Sequence, residues 1–119
     1  MYSSQLLDHF QNPRNAGEIG DADAAAEIAN PVCGDVLRLT LKISEGRITQ
    51  ARFKAKGCVA AIACGSALTE LAVGKTLNEA KGLGREAVSA AVGGLPQAST
   101  HAVQLALDAL SSALTHINF

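Results

Sequence analysis

The chain reads as an α+β fold, a three-stranded antiparallel sheet covered on one face by helices. Three observations predict it. Val36 to Ile43 and Ile48 to Lys56 are consecutive runs in which apolar and polar residues alternate. Ser44-Glu45-Gly46-Arg47 between them has the length and composition of a hairpin turn. After Cys58 the apolar spacing changes from two to three and four, the period of a helix.

The elements follow in order. Ser4 is placed to cap a short helix running through Phe10, which Asn12-Pro13-Arg14-Asn15-Ala16-Gly17 then breaks with turn chemistry. Ala24 to Asn30 makes a first, edge-like strand ending at Pro31. In the second strand Leu37, Leu39, Leu41 and Ile43 share one face, and Arg38, Thr40 and Lys42 the other. The third sets Ala51, Phe53 and Ala55 against Gln50, Arg52, Lys54 and Lys56, so one sheet face is expected to be buried and the other wet. Ala60, Cys64, Ala67, Leu68 and Leu71 form the stripe of a helix that Gly74 stops. Thr76 and Glu79 have the form of a capping box for a helix over Leu77 to Lys81, and Arg85 to Val92 is a further helix ended by Gly93-Gly94-Leu95-Pro96. A long last helix carries Leu105, Ala106, Ala109, Leu110, Ala113, Leu114 and Ile117 on one face, with Ser99 or Thr100 as its cap.

Composition bounds the function. At 119 residues, 48% of them hydrophobic, residues 1–119 are expected to form one domain around a single modest core. No run approaches the roughly 18 apolar residues of a membrane span, and the first residues lack the basic and apolar regions of an export signal, so a cytoplasmic location without membrane attachment is expected. A net charge of -1 and only three Phe, one Tyr and no Trp give no support to nucleic-acid binding. Three cysteines in a reducing compartment point away from a disulfide framework and toward metal, redox or core roles.

Two of those cysteines converge. Cys33 precedes the second strand and Cys58 follows the third, and antiparallel pairing makes the start of one the neighbour of the end of the other. Cys33, Asp35 and Cys58 are therefore expected at one end of the sheet, two thiols and a carboxylate on glycine-flanked loops. That is an arrangement suited to metal. Cys64 lies six residues beyond Cys58, about 240 degrees around a helix and in phase with the buried stripe, so a core role is expected for it. His9 and His116 read as surface or interface residues.

The chain resembles the iron-sulfur cluster assembly scaffold family, comprising IscU proteins and the N-terminal domain of NifU. The resemblance spans nearly the whole chain: Asp8-His9-Phe10 and Asn12-Pro13-Arg14-Asn15-Ala16-Gly17, Asn30-Pro31-Val32-Cys33-Gly34-Asp35, Lys56-Gly57-Cys58 with Ala67-Leu68-Thr69-Glu70 and Gly74-Lys75-Thr76, then Leu95-Pro96 ahead of His101 and Leu105-Ala106. It implies an IscU-like fold without enzymatic activity, holding a transient [2Fe-2S] cluster or a zinc or iron ion for transfer to acceptor proteins. The family's three cysteines, aspartate and histidine map onto Cys33, Cys58, Ala102, Asp35 and His101. The third cysteine is thus alanine here. A lysine that family members tend to carry before the histidine, in a motif read by a DnaK-type chaperone, is also missing from Leu95-Pro96-Gln97-Ala98-Ser99.

Cys33, Asp35, Cys58 and His101 make a set of two thiolates, a carboxylate and an imidazole. Such a set suits a mononuclear zinc or ferrous ion better than a stable [2Fe-2S] cluster, which normally takes four thiolates. Three readings stay open on sequence alone. One is a scaffold binding a metal ion or labile cluster, with a cysteine desulfurase and iron-sulfur acceptor proteins as the partners the resemblance implies. Another is a degenerate paralogue acting as a zinc- or iron-binding regulatory partner of that machinery. A third is a sulfur-transfer enzyme with Cys58 or Cys33 as nucleophile; no lysine or arginine adjoins Cys33, whereas Lys56, two residues before Cys58, is placed to lower the pKa of that thiol. The cations Arg38, Lys42, Arg52, Lys54 and Lys56 on the outer strand face predict a partner with an acidic docking surface.

Overall fold

The computed structural model describes residues 2–31 and 34–117. It has the predicted architecture: a sheet of order β1-β2-β3, all antiparallel, formed by β1 (Ala24–Ala29), β2 (Val36–Ser44) and β3 (Arg47–Lys56). Glu45 (φ 54°) and Gly46 (φ 73°) close the β2–β3 hairpin as a two-residue turn with both residues left-handed, the form that matches strand twist. Leu39 pairs with Phe53 and Val36 with Lys56. A one-residue shift after Lys42 leaves Thr49 as the extra residue of a bulge, and its hydroxyl donates to the Lys42 carbonyl.

Behind the sheet lie α1 (Ser4–Gln11), α2 (Val59–Ala72), α3 (Leu77–Lys81), α4 (Arg85–Ala91) and α5 (Thr100–Thr115). The inward residues Leu37, Leu39, Leu41 and Phe53 meet Cys64 and Leu68 of α2 and Ala106 and Leu110 of α5 in one buried cluster. Close approach is set at Gly65, where a methyl group would stand 2.7 Å from the Phe53 ring and 3.0 Å from Leu37. The capping box is complete: the Glu79 N–H donates to Thr76 Oγ1, and the Thr76 N–H donates to Glu79 Oε1.

Several local expectations are corrected. Ser3, not Ser4, caps α1, accepting from the Leu6 N–H. Ser99 holds the cap position of α5 without a side-chain capping bond, because a 3₁₀ turn over Gln97–Ser99 leads directly into the helix. The outer sheet face is not uniformly wet. Residues 15–23 cross it as a strap. Ala16 bridges to Phe53 at the open edge of β3, the Ile19 N–H donates to Thr40 Oγ1, and the Asp23 N–H donates to the Leu41 carbonyl on the far side. Thr40 is thereby buried, and the β3 edge that would otherwise be left unpaired is partly covered.

His9 is also buried, against the expectation of a surface role. Its Nδ1 lies 2.8 Å from Ser66 Oγ of α2, which also accepts from the Arg14 N–H at 2.8 Å. Asn15 Nδ2 donates to Thr69 Oγ1, whose own proton goes to the Ser66 carbonyl at 2.7 Å, with the Arg14 carbonyl close by at 3.3 Å. The motif from Asp8 to Gly17 is thus a latch fastening α1 and the strap to α2 and β3. His116 is exposed as expected.

Candidate metal centre

The site forms where the hairpin ends. Pairing of Val36 with Lys56 places Asp35 and Gly57 side by side. The Asn30 N–H donates to the Asp35 carbonyl at 2.8 Å and extends the β1–β2 ladder by one rung, which holds the Asp35 backbone. Cys58 is the cap residue of α2: its Sγ accepts from the Ala61 N–H at 3.4 Å. His101 lies in the first turn of α5, whose packing across β1 and β2 brings that turn to the same end of the sheet.

One carboxylate joins these groups. Asp35 is 3% exposed. Its Oδ1 accepts from the Cys58 N–H at 3.1 Å, its Oδ2 accepts from the Cys58 S–H at 3.1 Å, and His101 Nε2 lies 3.7 Å from Oδ2. Ligand atoms of Asp35, Cys58 and His101 all fall within 4.8 Å of one another. The imidazole is the open side of the site, with its side chain 37% exposed.

Burial first, and then the bond to Asp35, push the Cys58 thiol above its ordinary value; the N–H groups of Ala61 and Ala60 at the helix start act the other way and do not prevail. Lys56 does not activate the sulfur. The expectation of a lysine-lowered nucleophile is therefore corrected, because a buried carboxylate beside a thiol favours the protonated form. Cys64 is fully buried in the core cluster, and burial pushes its thiol up to about 12. It is an inert core residue and not part of the ligand group.

Cys33 lies outside the described residues. The hairpin brings Asp35 and Cys58 together, and His101, which the resemblance alone had pointed to, lies beside them. Ala102, next in the chain after His101, is fully buried and belongs to the core cluster. The expected basic docking face is largely neutralised from within the chain: Glu18 lies 3.1 Å from Arg38 and 3.8 Å from Lys54, and Asp21 and Asp23 lie 3.2 Å and 3.9 Å from Lys42. Arg52 and Lys56 stay exposed. No helix among the described residues is long and apolar enough to cross a membrane.

The donor set itself is informative. One sulfur, one imidazole nitrogen and one carboxylate oxygen are donors of the types that zinc takes, and an N/S/O mixture of this kind also accepts ferrous iron.

Comparison with known proteins finds relatives over nearly the whole chain. Residues 1–118 match the family model described as the NifU-like N-terminal domain. The iron-sulfur cluster assembly scaffold protein IscU 1 of Archaeoglobus fulgidus is 49% identical over 114 residues, covering 96% of this chain and 74% of that protein. The scaffold protein IscU of Escherichia coli K12 is 38% identical over 117 residues, covering 95% of this chain and 91% of that protein. The N-terminal NifU-like protein of Brucella abortus has a crystal structure that superposes with a TM-score of 0.77 at 20% identity, over 95% of this chain and 91% of that one.

Proposed function

Since the chain belongs to the NifU-like N-terminal domain family, we propose that it is an iron-sulfur cluster assembly scaffold, its 119 residues one domain that holds iron-sulfur cargo for transfer to acceptor proteins. The observation that carries this reading is the meeting of Asp35, Cys58 and His101 within 4.8 Å at the hairpin end. Cys33, two residues before Asp35, supplies the second thiolate. In this reading the cargo is substrate and not a resident cofactor: a labile [2Fe-2S] cluster, or a single zinc or ferrous ion. A carboxylate and an imidazole in place of thiolates hold iron-sulfur cargo more weakly than four cysteines do, which suits hand-over. The partners of such a protein are the sulfur donor, a cysteine desulfurase, and the acceptors. In this reading the chain holds cargo and hands it on without performing bond chemistry itself.

Ala102 favours a second reading. A methyl group in the buried position after His101 can neither ligate iron nor carry sulfur, so the chain would keep the partner-binding fold while holding one metal ion as a regulatory paralogue. Anaerobic reconstitution with iron, sulfide and reductant, followed by iron and sulfide analysis, separates the two. Iron and sulfide bound in equal amounts, with visible cluster absorption, establish the scaffold reading; iron or zinc bound without sulfide establishes the regulatory one. Failure to bind metal at all, with no thiolate-to-metal band in the cobalt-loaded sample, refutes both.

A further inference from the structure

We propose that Gly57 is the positioning residue of the site: its missing side chain is the cradle into which the Asp35 carboxylate fits, and any L-residue there would drive the carboxylate off Cys58. This rests on the reading of Asp35 and Cys58 as ligands. A methyl group on Gly57 would stand 2.1 Å from Asp35 Oδ1, 2.6 Å from its Cγ and 3.0 Å from its Cα. Gly34 is a useful contrast, because it too has a positive φ (77°) at this end of the sheet, yet a methyl group there would meet nothing within 4 Å. Gly34 answers a backbone need alone, whereas Gly57 (φ 146°) answers that need and a spatial one.

The clash falls on the atoms that organise the site. Oδ1 is the acceptor for the Cys58 N–H, and the same carboxylate holds the Cys58 S–H and faces His101. To reach ordinary van der Waals separation the carboxylate must retreat by about 1 Å or more. A retreat of that size takes a 3.1 Å hydrogen bond out of bonding range. Asp35 has no other slack, since its backbone is fixed by the strand ladder and its side chain is buried. Gly57 touches no cargo itself; it acts through Asp35, as groups that orient metal ligands do.

The chain offers a direct test. Residue 58 is a cysteine, so residues 1–57 as a thioester and residues 58–119 join by native chemical ligation with no foreign residue at the junction. Three full-length proteins are made, with glycine, L-alanine or D-alanine at 57. D-Alanine takes a positive φ as readily as L-alanine takes a negative one, and its methyl replaces the other Cα hydrogen, not the one that faces Asp35. Two readouts are taken: hydrogen exchange of the Cys58 amide in metal-free protein, with Asp35→Ala as the reference for a lost acceptor, and Co²⁺ affinity by competition with a chromophoric chelator. The L-alanine protein is expected to lose protection at the Cys58 amide to the level of Asp35→Ala and to bind Co²⁺ about 10–100-fold more weakly, while the D-alanine protein resembles the glycine protein in both. Protection retained with L-alanine, or lost equally with D-alanine, overturns the proposal. If the L-alanine protein does not fold, Asp35→Ala is added to it: recovery of the fold supports the clash, and continued failure overturns it. Should the glycine protein bind no Co²⁺, the ligand reading fails, and amide exchange still decides the role of Gly57.

Discussion

Ser66→Ala tests the latch that ties the N-terminal segment to α2. The hydroxyl is fully buried and has two partners, His9 Nδ1 and the Arg14 N–H, each at 2.8 Å. A hydroxyl that accepts from Arg14 still has a proton and a second lone pair with which to pair with Nδ1 in either tautomer, and His9 Nε2 lies 3.6 Å from Glu70. Alanine removes both bonds and takes from a backbone donor and a buried ring nitrogen the oxygen they share. Each orphaned group costs about 1–3 kcal/mol, so a loss of about 2–4 kcal/mol is expected. With an unfolding entropy near 2.1 cal/mol/K per residue, 119 residues give about 0.25 kcal/mol per kelvin, and Tm should fall by roughly 8–16 °C. Thermal melts of the metal-free protein, with exposed Ser111→Ala as the control, measure it. A shift below about 2 °C would refute the latch, as would full additivity of Ser66→Ala with His9→Gln.

Burial, helped by Arg14, holds His9 below its ordinary value of 6.5 against the opposing pull of Glu70 and Asp8. Below that pH the unfolded chain binds a proton that the folded chain refuses, so the His9 contribution is complete above 6.5 and shrinks as pH falls toward the folded value. Urea midpoints at pH 7.5 and 5.5 should show this loss in the parent and a smaller one in His9→Gln. Ala102→Cys is expected to lengthen the lifetime of a reconstituted cluster, read from its visible absorption in air, while overpacking a filled position at a cost of about 1–3 kcal/mol; an unchanged lifetime would assign the missing thiol no role. Thr40→Val should destabilise by about 1–3 kcal/mol because it strands the buried Ile19 N–H. Glu18→Ala should stay within about 1 kcal/mol because its ion pairs are partly exposed. The reverse order in urea titrations would mean that charge, and not the buried hydroxyl, fastens the strap.

The parts of the fold legible in the sequence are those specified by near neighbours. Alternation in β2 and β3, the Glu45-Gly46 turn and the Thr76/Glu79 box are each complete within a few residues, and each is observed. Convergence of Asp35 with Cys58 was legible for the same reason, because a hairpin ties two distant positions through one local turn. The strap was not. Residues 15–23 carry no period, and their bonds run to Phe53, Thr40 and Leu41, far along the chain. Two signs of it stand in the sequence: Ile19, a lone large apolar residue in a polar stretch, and Thr40, the uncharged residue between Arg38 and Lys42. His9 misleads because its polar character suggests a surface, while the hydroxyl that satisfies it lies 57 positions away.

The three grouped side chains come from separately anchored elements, which bears on how a scaffold releases what it holds. Asp35 is fixed by the strand ladder and Cys58 by the helix cap that follows the same hairpin, so these two move as one unit with the sheet. His101 has a different support: it stands in the first turn of α5, beyond the 3₁₀ turn, without a side-chain cap and partly exposed. The carboxylate that faces His101 holds both the N–H and the S–H of Cys58. Two groups that would bind cargo are thus anchored to the sheet and satisfy each other when the thiol carries its proton, while the third is carried by a different helix, so substitutions in the 3₁₀ turn should act on His101 without disturbing the Asp35–Cys58 hydrogen bonds.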